Sequence, residues 1–371
     1  NGLGGIGVCL PSDDPYAGYF NPANGLGAFE GTSYSHSKMG SPWLWDKYHL
    51  EYEVWNFGIL PKKYPIKLVF SLSKTFLDLG TITQFGEQIG SFNSFMKSDA
   101  QTISLAYQAQ LKKIPFDFSI GYSRKTAIQV LTENWKTSDE LYDYGLLISL
   151  PFSFKEISIK NLKLIDDSFD FTLKPSFGYS VSNIGEDIAL SSPNADPTPK
   201  YLRIGISTST VLSYKSKWNL LEWKGGRSAS DELIEPRYNS DDPIKYQSGL
   251  GDVGFFKNVL ISETDSLLTI HRGDEWTILD IYTFRKGRKV DITGKIDLQT
   301  SGYGYRLAGV FKILYFLLDD PIFETIPKFI DVQYNYSKWE QYSGHPLHDT
   351  EFESLSITFN NIDQLIMGLL K

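Results

Sequence analysis

The side chains best suited to chemistry in this sequence are one cysteine and five histidines. Because Cys9 is the only cysteine, neither an intramolecular disulfide nor a cysteine-based metal site can form, and we expect a small buried thiol. His345 and His348 are the only close pair of histidines, and their spacing brings no acidic third ligand with it. The pattern therefore predicts a solvated loop at this pair and no metal site.

The sequence also lacks a recognisable set of catalytic groups. The hydroxyl run Ser207-Thr-Ser-Thr210 has no neighbouring base, so it is interpreted as the polar face of a strand. Gly225-Gly226 and the pair Gly302 and Gly304 do not open a helix after a buried strand, as a phosphate loop requires. We expect no enzyme activity and no cofactor.

Composition narrows the classes of partner. The chain has 371 residues, a formal charge of −8 and no long basic cluster, which excludes nucleic acid as an expected partner. Aromatic residues make up 15% of the chain, a share that favours strands and is also typical of membrane interfaces. No run of about 18 apolar residues is present, so a membrane-spanning helix is not expected. The chain starts at Asn1 without a methionine, so we presume that a signal peptide has been removed.

Most of the chain follows the period-2 pattern of β-strands. The clearest stretch is 169–181, in which alternate residues are apolar and the residues between them are polar or charged. The apolar set there is Phe169, Phe171, Leu173, Phe177, Tyr179 and Val181. Similar alternation at 47–54, 66–73 and elsewhere predicts about fourteen strands between 29 and 360, each with its loop taking about 25 residues.

The later strands and the longest loops are predicted from the same pattern. Further strands are expected at 201–214, 255–262, 265–271, 275–286, 298–315, 329–338 and 352–360. Long loops are expected at 80–98, 131–139, 183–199 and 224–254.

The direction of the apolar face separates a soluble sandwich from a membrane barrel. Sandwich strands are usually shorter, with cores rich in Val, Leu and Ile. Here the apolar face consists of Tyr, Phe, Leu and Ile, and aromatic residues such as Trp55 and Trp339 lie toward strand ends. This pattern is typical of an all-β transmembrane antiparallel barrel of about fourteen strands whose apolar side faces lipid.

Both ends of the chain differ from the strands. Within 1–28, Asn21 can cap a short helical turn that begins at Pro22 and continues with Ala23, so we expect a compact N-terminal plug before the barrel at 29–360. Beyond it, the tail 361–371 has apolar residues at helical spacing and is expected to form a short helix. These residues are Ile362, Leu365, Ile366 and Leu369.

Several blocks of the sequence resemble a known family. The first is Asp13-Asp14-Pro15-Tyr16-Ala17, followed by Tyr19-Phe20-Asn21-Pro22-Ala23. The second runs from Gly273-Asp-Glu275-Trp276 to Thr300-Ser-Gly302-Tyr-Gly304, and the third is Leu355-Ser356-Ile357-Thr358-Phe359. Together they resemble FadL-type outer-membrane barrels, especially the PorV-like branch of Bacteroidota, whereas 60–250 is similar only in strand rhythm.

The resemblance implies a barrel of the bacterial outer membrane with an N-terminal plug in its lumen. It implies one of two roles, passage of hydrophobic small molecules or service as an accessory barrel in a secretion complex. The expected partners are therefore outer-membrane lipid, other envelope proteins and a hydrophobic ligand. Two departures from the family pattern are the residues after Phe359 and the long 224–254 segment.

Three groups of candidate site residues follow. Asp13, Asp14, Asn21, Pro22 and Ala23 either shape a static turn or anchor a movable hatch. A second group, Glu275, Asp280 and Arg285, is expected to form a charge network in the lumen.

The third group is the apolar stripe of the tail, which is expected to bind a partner protein. This stripe and the resemblance favour the accessory role over hydrophobic uptake, which predicts an apolar pocket beside the plug. Gly302 and Gly304 are expected to make room for the plug.

Overall fold

Most of the chain is described by a computed structural model. The described residues are 2–12, 14–24, 32–43, 48–59, 65–84, 90–111, 114–130, 136–154, 157–159, 162–165, 169–186, 198–215, 218–235, 245–345 and 347–369.

Fourteen antiparallel strands close into a barrel, which confirms the predicted fold class. The strands of the chain are β1 (Thr32–Trp43), β2 (Tyr48–Ile59), β3 (Ile66–Gln84), β4 (Gly90–Leu111), β5 (Ile114–Val130), β6 (Lys136–Ser149), β7 (Phe152–Phe154), β8 (Ile157–Ile159), β9 (Leu162–Ile165), β10 (Phe169–Ile184), β11 (Tyr201–Tyr214), β12 (Trp218–Glu232), β13 (Leu268–Ile278), β14 (Tyr282–Asp291), β15 (Ile296–Arg306), β16 (Ile330–Glu340) and β17 (Thr350–Phe359). The ring omits β7, which pairs with one part of β10, and the separate hairpin β8–β9. It closes where β17 pairs with β1, with Phe359 opposite Tyr34.

The two ends of the barrel differ in their connections. At the terminal end, where β1 begins and β17 stops, the helices α1 (Leu307–Leu318) and α2 (Pro321–Phe329) link β15 to β16. Helix α3 (Ile362–Leu369) follows β17 at the same end. The opposite end, called the loop end here, carries the long connection 233–267 with a π-helix at Phe255–Leu260. Among the described residues, no helix is long and apolar enough to cross a membrane.

The outer face carries the apolar residues, as predicted. On β4 the side chains of Ile103, Leu105 and Tyr107 are exposed, whereas Thr102 and Ser104 between them are buried in the interior. On β10 Ser176, Ser180 and Ser182 are likewise buried, whereas the apolar residues that alternate with them are half-buried. Three of these apolar residues, Phe177, Tyr179 and Val181, pack on the outside against a cluster that includes Val253 and Val259 of the 233–267 connection. Lipid requires such an apolar outer band, and the polar side chains turn to the lumen.

On part of strand β2 the apolar side chains face the interior and the charged side chains face outward. Tyr52 and Val54 are buried inside the barrel, while Glu51 and Glu53 lie on the outer face, so the prediction was wrong for these residues. The outer apolar band on this strand begins only at Trp55. Because β2 extends beyond the band toward the loop end, its outer side there meets water and tolerates carboxylates.

Several predicted boundaries were also wrong. The stretch 224–254 begins with nine strand residues of β12, and most of 80–98 belongs to β3 and β4. The stretch 275–286 contains a turn at Leu279 and Asp280, both with positive φ, rather than one strand. Neither residue of this turn is a glycine or a proline, the residues that mark most turns in a sequence, so the turn was missed.

Two of the predicted strands contain helix. The stretch 255–262 contains the π-helix, and 298–315 passes from β15 directly into α1. In α1 the run Ile313–Leu318 is uniformly apolar, and a uniform run has no periodicity that separates strand from helix.

The outer band predicts a sharp contrast between two substitutions on β4. Leu105→Arg places a charge within the band, where we expect a loss of about 2–4 kcal/mol in the free energy of unfolding from lipid vesicles. Gln101→Arg lies on the same face of the strand but outside the band, and we expect a loss of about 0–1 kcal/mol. Equal losses measured by denaturant titration in vesicles would show that the band does not face lipid.

Candidate functional site

The N-terminal segment, residues 2–24 without Asp13, packs against the inner wall of the barrel. It contains three short 3₁₀ turns, Ile6–Val8, Ala17–Tyr19 and Pro22–Asn24. The segment contacts Ser104 on β4 and Gly287 on β14, strands on opposite sides of the ring. A segment that reaches both walls lies across the lumen.

Six glycines on the wall permit this close approach. At each of them an added Cβ would overlap an atom of the N-terminal segment, and at Gly205 it would come 2.8 Å from the Cys9 sulfur. They form three directly opposed pairs on neighbouring strands: Gly121 with Gly145, Gly178 with Gly205, and Gly273 with Gly287. We call these residues the glycine ring. A side chain at any of these six positions would occupy space that the segment fills.

Polar side chains beside the glycine ring bind the backbone of the segment. Ser104 lies directly opposite Gly121, and Ser180 lies directly opposite Gly145. Ser104 Oγ donates to the Pro22 carbonyl at 2.5 Å, Ser180 Oγ to Phe20 at 2.9 Å and Ser207 Oγ to Cys9 at 2.7 Å. These hydrogen bonds provide partners for carbonyl groups of the segment, which lies outside the β-sheet.

Two further polar residues hold the beginning of the segment. Thr300 Oγ1 donates to the Gly2 carbonyl at 3.0 Å and accepts from the Gly4 amide at 2.9 Å. The Gly4 carbonyl also lies 2.7 Å from His271 Nδ1. Both ends of the segment are therefore fixed to the wall.

Asn21 ties the two halves of the segment to each other and to the barrel. Its Nδ2 donates to the carbonyls of Val8 at 2.8 Å and Leu146 at 3.0 Å, while its Oδ1 accepts from the Ala23 amide at 2.9 Å. Pro22 starts the third 3₁₀ turn, and Ala23 is fully buried. Of the predicted acidic residues, Asp14 accepts from the Tyr16 amide at 2.9 Å, and Asp13 lies outside the described residues.

Burial changes the acidity of two groups in the segment. The Cys9 thiol is fully buried, which raises its pKa to about 12. Burial also raises the pKa of Tyr16 above its ordinary value, and the nearby Asp14 acts in the same direction. A neutral, enclosed thiol is a poor nucleophile, so Cys9 packs as a small apolar residue.

A cavity of about 280 Å³ lies between the N-terminal segment and the loop end. Pro15, Gly18 and Tyr19 of the segment line one side of it, together with Tyr52 and Val54 of β2. Half of the remaining lining residues bear a hydroxyl group, namely Ser71, Ser73, Thr75, Ser98, Thr102, Ser104, Ser123 and Ser182. The cavity therefore has an aromatic side and a polar side.

The polar side also carries charge. Lys125 Nζ lies 2.7 Å from Asp143 Oδ1, and Arg203 Nη1 donates to Ser182 Oγ at 3.0 Å. Lys125, Asp143 and Arg203 all line the cavity. A ligand with hydroxyl or acidic groups could bind these side chains, whereas a hydrocarbon would leave them without water.

The predicted charge network divides into two places. Glu275 Oε2 lies 2.6 Å from Arg285 Nε, Glu275 Oε1 lies 3.2 Å from Lys224, and Arg285 donates to Asn335 at 2.8 Å. These side chains face the lumen on β12, β13, β14 and β16. Asp280 does not join them, because it lies in the turn after β13.

Asp280 instead binds helix α1, with its Oδ2 2.6 Å from Lys312 Nζ. Gly302 and Gly304 do not adjoin the N-terminal segment either. An added Cβ there would meet Tyr336, Ser337, Asn335 and Arg285. The room for the segment comes from the glycine ring, and Gly302 and Gly304 make room for β16 and the Arg285 side chain.

The other candidate residues lie outside the lumen. In helix α3, Leu365 and Ile366 are 47% and 52% exposed, and Asp363 accepts from the Thr32 amide at 3.3 Å. Ile362 is partly exposed, and Leu369 is the last residue of the helix. His345 and His348 lie in the β16–β17 loop, and the described residues contain no group of three His, Cys, Asp or Glu side chains arranged for a metal.

Sequence reasoning missed the glycine ring and the serines that bind the segment. The glycines of the ring lie at inward-facing positions of strands that the alternation predicts, for example Gly178 between Phe177 and Tyr179. A glycine at the same inward position on several consecutive strands is the signal that could have located the contact.

Comparisons with known proteins add only weak likenesses. No protein-family model matches the sequence, and no curated protein matches it. A FadL homologue from Pseudomonas aeruginosa is 10% identical, with 96% of each chain covered and a TM-score of 0.36. The toluene transporter TbuX from Ralstonia pickettii is 10% identical, with 97% of this chain and 96% of that chain covered and a TM-score of 0.38. The β domain of the Bordetella autotransporter BrkA is 7% identical, with 89% and 99% covered and a TM-score of 0.34. These values carry no argument about family or function.

The glycine ring predicts that a single methyl group displaces the N-terminal segment. In Gly178→Ala, the new Cβ overlaps the backbone of Val8 and Cys9, which cannot yield without moving the chain. We expect Cys9, unreactive toward maleimide in the folded wild type, to become reactive in the folded variant. Gly40→Ala is the matched control, because a Cβ there meets nothing closer than 3.8 Å. Unchanged Cys9 protection in Gly178→Ala would contradict the contact.

Proposed function

We propose that this protein is a FadL-type outer-membrane transport barrel, in which the N-terminal segment acts as the plug and a small amphipathic molecule enters from the loop end. The observation that carries the proposal is the cavity of about 280 Å³ lined on one side by that segment. A cavity in contact with the plug places a ligand directly against the part of the lumen that must open.

The cavity supports an amphipathic cargo better than a pure hydrocarbon. Tyr19, Tyr52, Val54 and Leu141 offer apolar and aromatic surface, which suits a ring or a short alkyl group. The serines and threonines and the pair Lys125–Asp143 suit hydroxyl groups on the same molecule. A cargo that filled the cavity with hydrocarbon alone would leave these polar groups desolvated and unpaired.

The contacts of the plug also indicate which part of it moves. Residues 2–10 and 20–24 are bound to the wall through the glycine ring and the serine hydrogen bonds. Between them, the turn around Tyr16 and Tyr19 is held by bonds within the segment and by ring contacts to Tyr52 at 5.2 and 5.7 Å. Such ring contacts are worth about 0.5–1.5 kcal/mol each. In this proposal it is the hatch, and its displacement opens the floor of the cavity.

Uptake into protein-loaded vesicles tests the proposal with phenyl β-glucoside, which combines an aromatic ring with hydroxyl groups. We expect entry well above that into empty vesicles. Tyr19→Ala should speed entry about 2- to 10-fold, because it removes a ring contact to Tyr52, worth about 0.5–1.5 kcal/mol, that holds the hatch closed.

Tyr342→Ala is the control for that substitution, since Tyr342 is an exposed aromatic residue of the β16–β17 loop that does not line the cavity. It should leave the rate unchanged. Entry no faster than into empty vesicles, or an equal change of rate with both substitutions, would refute transport through this cavity.

A second candidate function, an accessory subunit of a secretion or assembly complex, has one observation in its favour. Helix α3 presents the exposed residues Leu365 and Ile366 at the terminal end. An unpaired apolar helix face of this kind is a common docking surface for another protein.

Ending the chain at Asn360 removes that face without touching the barrel strands. If the accessory role holds, the truncated protein should lose partners that co-purify with the full chain from native membranes in mild detergent. An unchanged set of partners would count against the accessory role and leave the transport proposal intact.

A further inference from the structure

The outer apolar band is much narrower on one side of the barrel than on the other. On β3 four successive outward residues are apolar before Lys74, and on β5 four are apolar or aromatic before Arg124. These residues are Ile66, Leu68, Phe70 and Leu72, and Phe116, Phe118, Ile120 and Tyr122.

On β13, β14 and β15 only two successive outward residues at the terminal end are apolar. These are Trp276 and Ile278, Tyr282 and Phe284, and Tyr303 and Tyr305. The next outward residues toward the loop end are Asp274, Lys286 and Ser301. The apolar band on this side ends there, because a charged or polar side chain follows directly on each of the three strands. On β13 the next apolar outward residues, Ile270 and Leu268, follow only after two charged ones and are buried against the 233–267 connection.

The missing width can be calculated from strand geometry. Two fewer outward residues correspond to four residues of strand, or about 13 Å at about 3.3 Å per residue. With a strand tilt of about 40°, the shortfall along the membrane normal is about 10 Å. A bilayer adapts to a mismatch of this size only at considerable cost, so another element must supply apolar surface.

Helix α1 lies where that surface is missing. It starts directly after β15, and an added Cβ at Gly309 would overlap the carbonyl of Asp280 in the β13–β14 turn. At its far end, Tyr315 stacks on Trp218 at the start of β12 with 6.4 Å between ring centroids. Twelve residues span about 18 Å, enough to cross the ends of four strands about 4.8 Å apart. The diameter of a helix, about 10–12 Å, matches the shortfall.

The exposed residues at the end of α1 are apolar. Phe316, Leu317 and Leu318 of α1 are 70%, 68% and 61% exposed. The only charged residue of α1, Lys312, is paired with Asp280 of the barrel. In α2, Ile322 is 55% exposed, and Lys328 pairs with Glu324 at 3.3 Å.

We propose that the hairpin α1–α2 is a lipid-binding element that completes the apolar band beneath β13–β15 by packing against acyl chains. The occupant is lipid because the exposed face continues the barrel surface that already faces lipid. The inference depends on the outer band and not on the cargo of the lumen, so failure of the uptake experiment leaves it standing.

Site-specific fluorescence in lipid vesicles tests the proposal on the purified full chain. Phe316→Cys carries an environment-sensitive label, and its quenching by nitroxide on lipid acyl chains is compared with quenching by iodide in water. Ile103→Cys, 50% exposed on β4, is the lipid control, and Tyr342→Cys, 63% exposed in a loop, is the water control. Wild-type protein treated in the same way reports any labelling of the buried Cys9.

We expect the label at position 316 to behave like the one at 103, with strong nitroxide and weak iodide quenching. Iodide quenching equal to that at 342 would overturn the proposal, as would protection from both quenchers, which indicates a protein contact such as a second copy of the chain. If Phe316→Cys lacks the gel mobility of a folded barrel, Leu317→Cys gives the same readout at a neighbouring exposed position.

Discussion

The arrangement of the lumen depends on one steric constraint, the close approach of the N-terminal segment to six glycines of the wall. At the glycine ring, chain and wall are in direct backbone contact, so neither can shift without the other. The serine and histidine hydrogen bonds can form only because the glycines bring the segment within reach of them. Asn21 then fixes the fold of the segment itself, because one side chain binds Val8, Leu146 and Ala23 at once.

The outer surface obeys a different constraint, which is the width of an apolar band. Polar groups can face outward only beyond that band, as Glu51 and Glu53 do on β2. The side of the barrel with shorter apolar stretches is also the side where α1 and α2 interrupt the strand order. The apolar run after Arg306 is thus explained by the short apolar stretches of β13, β14 and β15, which precede it in the sequence.

Alternation together with the aromatic apolar face was sufficient to predict the barrel and the faces of strands such as β10, where Phe177 and Tyr179 alternate with serine and glycine. It was insufficient on β2, where Tyr52 and Val54 face the cavity inside the barrel and Tyr52 contacts Tyr16 of the N-terminal segment. Glu275 and Arg285 could be placed together because they lie opposite each other across a hairpin. Asp280 was misplaced because its turn has no glycine or proline to mark it. The cavity could not be predicted, since its walls combine residues from strands far apart in the chain.

The central claim is that the N-terminal segment closes the lumen, and ion conductance across a planar lipid bilayer tests it most directly. We expect the full chain to conduct little. A variant lacking residues 2–24 should form stable open pores of the size expected for a barrel of fourteen strands. Similar conductance in the two proteins, with both shown to be folded, would contradict it.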